Sequence, residues 1–103
     1  MINEILKPTG VPFKETMFSR APDGDYIVYH IDVDADGPDD ENRIFTNGVT
    51  LEVYEKKPNP KLEADLESRL NALGLKYYKQ SRYWIPEAQR YQVIYEFTYI
   101  TKT

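Results

Sequence analysis

Apolar residues recur along this chain with two periods. In residues 59–74, NPKLEADLESRLNALG, Leu62, Leu66, Leu70 and Leu73 return at spacings of four, four and three, which lays one apolar stripe along a helix. Asn59 suits the N-cap, and Pro60 suits the first helical position, where a missing N–H costs nothing. Asp65 and Arg69 stand four apart on the outward side and can pair weakly. Gly74 closes the pattern as a left-handed C-cap, with Leu75 placed to pack back.

Elsewhere the period is two. Strand A is expected over residues 25–33, where Ile27, Tyr29, Ile31 and Val33 alternate with Tyr26, Val28, His30 and Asp32. Strand B covers 44–55, with Val49, Leu51 and Val53 on the core face and Thr50, Glu52 and Tyr54 opposite. Inside it Asn47-Gly48 signals a turn or bulge, so Ile44 and Phe45 read as a separate short strand or as the return arm of a loop. Strand C covers 76–85, with Tyr77, Tyr83 and Ile85 on one face and Tyr78 and Trp84 on the other; its polar middle, 79–82, suits an edge. Strand D, 90–101, lines one face without a break with Tyr91, Val93, Tyr95, Phe97 and Tyr99. Ahead of these, Ile2, Ile5 and Leu6 predict a short helix over 2–7 that Pro8, Thr9 and Gly10 terminate. Residues 11–18 read as extended and anchored by Phe13, Met17 and Phe18, and 21–24 as a turn.

The order helix, two strands, helix, two strands restricts the topology. Hairpins A–B and C–D, joined by a helix that reverses direction, predict an α+β fold: a four-stranded antiparallel sheet in the order A-B-D-C with both helices on one face. At 103 residues the chain is expected to be a single domain spanning 1–103. Such a chain buries roughly 65% of its unfolded surface, enough for one core. It has no cysteine, which excludes disulfides and thiolate metal sites. No run approaches the ~18 apolar residues of a membrane span, and MINEILKPTG lacks the basic and apolar regions of a signal peptide. A soluble intracellular protein is the expectation.

The net charge of −4 is unevenly spread: residues 1–55 carry four basic and twelve acidic side chains, and 56–103 carry nine basic and five acidic. Oppositely charged halves can associate head to tail if they stay apart in space. The overall acidity argues against nucleic acid as a specific partner.

Little in the chain points to catalysis. Asp32-Val33-Asp34-Ala35-Asp36-Gly37 copies the opening of a calcium loop, but Asp39 stands where an apolar residue belongs and Arg43 where the closing carboxylate belongs. The segment reads as a solvated acidic hairpin loop or, alternatively, as an arm over 36–41 that docks on a basic partner. His30 has no Ser, Cys or second His beside it, so it has neither a triad nor a ligand set, and Asp32 nearby can raise its pKa. The aromatics of strands C and D lack the signature of RNA-binding sheets and suit core and interface. No phosphate loop, paired-carboxylate site or nucleophile elbow is present. The candidate interface is therefore Asp36, Asp39, Asp40 and Glu41 from the loop, with Tyr78, Arg82 and Trp84 from strand C; no cofactor or metal is expected.

Residues 50–100, TLEVYEKKPNPKLEADLESRLNALGLKYYKQSRYWIPEAQRYQVIYEFTYI, resemble small proteins of the head–tail assembly gene clusters of tailed bacteriophages and prophages of Gram-positive hosts. INEILKPTGVPF and DYIVYHIDV fit the same pattern, and Glu52–Lys57 and Tyr83-Trp84-Ile85 are the most specific stretches. Size and element order are similar to tail terminator (tail-completion) proteins. The resemblance implies a non-enzymatic virion subunit that forms a ring, a hexamer in the virion, and is compatible with a monomer in solution. That ring caps the tail tube, meets the tail tube protein on one side and head-completion or connector proteins on the other, and assembles in the host cytoplasm. The alternatives are a head-completion or neck protein, and a small binding module that uses the acidic loop 32–41.

Overall fold

The computed structural model describes residues 1–36 and 44–102, with the Asp36 side chain left undescribed. The chain opens with helix α1 (Ile2–Leu6), a 3-10 turn (Lys7–Thr9) and strand β1 (Phe13–Glu15). Strands β2 (Tyr26–Asp36) and β3 (Ile44–Glu55), helix α2 (Pro60–Ala72), and strands β4 (Tyr77–Lys79), β5 (Tyr83–Ile85) and β6 (Arg90–Lys102) follow.

The sheet is six-stranded and mixed, not four-stranded and antiparallel as the sequence predicts. Its order is β1-β2-β3-β6-β4, and β5 also pairs with β6. Two local events account for the correction. Phe13–Glu15 adds alongside β2 in parallel, Phe13 facing Ile27, so the expected edge strand A is covered over part of its length. Strand C is broken in two. Tyr77 faces Phe97 and Lys79 faces Tyr95, whereas Tyr83 faces Gln92. Three residues of the outer strand thus oppose two of β6, which is one extra residue, a bulge, and every side chain beyond it changes face.

Asn47-Gly48 makes no turn. β3 runs unbroken through it, paired on both sides, Asn47 with Val33 and Tyr99, Gly48 with Asp32 and Thr98. The buried Asn47 amide donates instead to the Tyr99 carbonyl (3.1 Å) and to Thr101 Oγ1 (3.3 Å). β2 likewise continues to Asp36, past the expected end at Val33.

Helix α2 follows the sequence at its ends. Asn59 Oδ1 accepts from the Leu62 N–H at 3.1 Å. At the other end Gly74 adopts φ 71°, its N–H donates to the Asn71 carbonyl, and the Leu75 N–H donates to the Leu70 carbonyl. That pair of bonds is a Schellman cap, and Leu75 packs against the core as such caps favour. The buried face of α2 is Leu62, Glu63, Leu66 and Leu70; Leu73, which falls at the cap, is exposed. Together with Ile2, Ile5 and Leu6 of α1, these leucines pack on Ile27, Val49, Leu51, Val53, Val93, Tyr95 and Phe97.

The helices cover only part of the sheet. A 13-residue strand such as β6 spans about 43 Å and a 13-residue helix such as α2 about 20 Å. Past the row of Ile31, Val49 and Phe97, among the described residues, the sheet projects as a ribbon of β2, β3 and β6 alone, with Val33 56% exposed on the helix side. At the opposite end, the sheet face away from the helices is covered by the segment before β2. Tyr26 and Tyr54 stack at 4.8 Å, Phe18 meets Tyr26 edge-on at 5.5 Å, and Arg90 donates to the carbonyls of Pro22, Asp23 and Gly24.

Candidate functional site

Two places concentrate polar chemistry: a charged seam under α2, and the open half of the sheet. The seam begins with the bulge. By shifting the register, it turns Arg82 toward the helix layer. There Arg82 Nη2 donates to Glu63 Oε2 at 2.6 Å, and its Nε lies 3.5 Å from Glu55 Oε1. Lys79, just before the bulge, reaches Glu63 Oε1 at 3.0 Å and Glu67 Oε2 at 2.7 Å. The Tyr95 hydroxyl donates to the same Glu67 oxygen at 2.7 Å.

Three carboxylates therefore face two cations. Glu55 is fully buried; Oε1 accepts from the Asn59 N–H at 3.3 Å, and among the described residues Oε2 has no donor. Burial, reinforced by a hydrogen bond to Glu63 and by its charge, pushes the Glu55 carboxyl up to about 7. In its protonated form the Glu55 carboxyl can donate to Glu63, the interaction that helps to raise it. Burial also acts upward on Glu63, but hydrogen bonds from Glu55, Arg82 and Lys79 outweigh it and hold Glu63 below the usual carboxylate range. Glu67 is held low in the same way, by Lys79 and Tyr95 against its own burial. Burial and the hydrogen bond to Glu67 raise the Tyr95 hydroxyl, so it stays a neutral donor. This arrangement ties β3, α2, β4 and β6 together. On its outer side Glu63, Lys79 and Arg82 line a shallow cavity of about 260 Å³ together with Gln80, Ser81 and Val93.

The open half presents the second surface. On the face away from the helices, Asp32, Gly48, Thr98 and Lys76 lie in one cross-strand row, the first three by direct pairing and Lys76 by extension of the β4 register. Gly48, without a side chain, forms the floor of a shallow groove of about 430 Å³, with Tyr78 and Glu96 on its wall. His30 Nε2 lies 3.3 Å from Glu52 Oε2 on this face, so its acidic partner is Glu52, not Asp32.

The residues expected at an interface divide accordingly. Tyr78 is 68% exposed beside the groove. Trp84 is 42% exposed but lies on the helix side, 5.0 Å from Tyr91, because the bulge separates it from Tyr78. Arg82 is engaged in the seam. Asp36 ends β2, while Asp39, Asp40 and Glu41 lie outside the described residues. The sequence reading passed over Glu55, Glu63 and Glu67. The signal for Glu55 was present: it continues the core-facing parity of Val49, Leu51 and Val53. Among the described residues no group of three or more His, Cys, Asp or Glu could hold a metal ion, and no helix is long and apolar enough to cross a membrane.

No family model and no curated protein sequence matches the chain. Among solved structures, it is similar to a chain in the virion of a native gene transfer agent (GTA) particle, with a TM-score of 0.63 at 12% identity, covering 96% of this chain and 84% of that one. At that identity the likeness shows a shared fold.

Proposed function

We propose that this protein is a non-enzymatic structural subunit of a phage-type particle, and that it caps the tail tube as a ring and contributes to joining tail and head. The observation that carries this reading is the fold likeness to a chain of a gene transfer agent virion, which covers nearly the whole of this chain. The resemblance of residues 50–100 to head–tail assembly proteins supports it independently. The structure is consistent with an assembly role: Lys79 and Arg82 tie elements together through Glu55, Glu63 and Glu67, and part of the sheet is left open. Open strands are a liability that soluble monomers blunt and that assemblies cover.

The partners in this reading are further copies of the chain, the tail tube protein, and head-completion or connector proteins. It acts in the virion after assembly in the host cytoplasm. Deletion of the gene from the phage that encodes it tests the role. Electron microscopy of the lysate should show DNA-filled heads without tails beside tubes of abnormal length. Tubes of normal length beside unjoined heads would assign the chain to head completion instead.

A further inference from the structure

Among the described residues, the projecting ribbon has two unpaired edges. β1 reaches β2 only at Ile27–Tyr29, so residues 31–36 have no strand on their outer side. β4 reaches β6 only as far as Phe97, so residues 98–102 have none on theirs. Both edges are solvent-facing: Asp32, Val33, Asp34 and Ala35 on one, and Thr98, Ile100, Thr101 and Lys102 on the other, are exposed. Ile100 is 61% exposed, comparable to Val33. Long edges of this kind, carrying apolar side chains, template pairing with another chain.

We propose that these two edges pair with each other between copies, β2 of one protomer alongside β6 of the next, head to tail. The proposal rests on the ring reading above and specifies its interface. Chain direction permits the arrangement. β2 and β6 are both antiparallel to β3, so they run the same way, and a neighbour in the same orientation adds in parallel. The interface is heterologous, as a closed ring requires.

Charge decides among the possible pairings. Two β2 edges meeting across a two-fold axis would set Asp32 and Asp34 against the same residues of the other copy, and like charges opposite one another destabilise a strand pair. Two β6 edges meeting would leave Val33 and its neighbours uncovered. The β2–β6 pairing sets Asp32 and Asp34 against an edge that carries no acid from Thr98 to Lys102 and that has Lys76 beside it. Lys76 immediately precedes β4 and lines the same groove as Asp32, Gly48 and Thr98.

Disulfide trapping tests this, because the chain has no cysteine of its own. Adjacent strands lie about 4.8 Å apart, within the roughly 4.4–6.8 Å between Cα atoms that a disulfide accepts. Asp34→Cys is combined in one chain with Thr98→Cys, Ile100→Cys or Lys102→Cys, all exposed positions on one sheet face, which allows for stagger between copies. Assembled particles carrying each double variant are oxidised and run on non-reducing gels. At least one combination should give a ladder ending at a closed ring. Asp34→Cys alone should give none, and neither should Val33→Cys with Ile100→Cys, whose side chains leave opposite faces. Homodimers of Asp34→Cys alone, cross-links only to a different protein, or no ladder from any combination in particles that contain the chain would overturn the edge pairing while leaving the virion role in place. Absence of the chain from the particles would instead remove the reading on which the pairing rests.

Discussion

Glu55→Gln isolates the energetics of the seam. In the folded chain Glu55 is completely buried between β3 and α2, and its carboxyl is pushed from an ordinary value of 4.5 up to about 7. That difference of ~2.5 pH units, at ~1.36 kcal/mol per unit, corresponds to roughly 3 kcal/mol. The sign follows from proton binding. Between pH 4.5 and 7 the unfolded chain has released this proton while the folded chain still holds it, so stability falls as pH rises and levels off above pH 7. Glu63 and Glu67, held low, act oppositely and in a lower window: their contribution is lost as pH falls below about 4.5.

Glutamine reproduces the neutral form of Glu55. Its carbonyl can still accept from the Asn59 N–H, and its amide can donate to Glu63. Urea titrations at pH 5, 6, 7 and 8 should give nearly equal stabilities for the two proteins at pH 5. At pH 8 the variant should be the more stable, by about 1–3 kcal/mol. Contributions from the rest of the chain are common to both proteins and cancel in the difference. A wild-type stability that is flat from pH 5 to 8, with the variant less stable throughout, would refute the reasoning. It would mean that Arg82 holds Glu55 as an anion.

Three further outcomes follow from other parts of the fold. Leu66 is fully buried beneath the sheet, so Leu66→Ala should cost about 2–5 kcal/mol in denaturant titration; a cost below ~0.5 kcal/mol would mean the leucine stripe does not form the core. Asn59 both caps α2 and donates to Asp25 Oδ2 at 2.9 Å, so Asn59→Ala should lower stability by about 1–2 kcal/mol in the same assay. Calorimetry should find no stoichiometric calcium site of micromolar affinity, because Arg43 occupies the position of the closing carboxylate.

Helix α2 was legible in the sequence because its determinants are local: Asn59, Pro60 and Gly74 act within a turn of their own position. The alternation of β3 and β6 was legible for the same reason. The complete sheet was not. β1 is three residues long and pairs with a strand eleven residues further on, so no local period announces it. The bulge at residues 80–82 shows only in the pairing with β6, and it separates Tyr78 from Trp84 and brings Arg82 to Glu63. Asn47-Gly48 carries a strong turn signal, but the Asn47 amide gains more from bonding across to β6 inside a sheet paired on both sides. The acidic run after Val33 stays in the strand through Asp36, with Asp32 and Asp34 exposed on its outward face.

The position of this chain in the assembled particle bears most directly on its role. A cryo-electron reconstruction of the head–tail junction should show one ring of subunits on the last tier of the tail tube. The six-stranded sheet and α2 should fit its density, with the ribbon of β2, β3 and β6 against a neighbouring copy. A ring at that place built from a different fold, with this chain absent from the purified particle, would contradict the account.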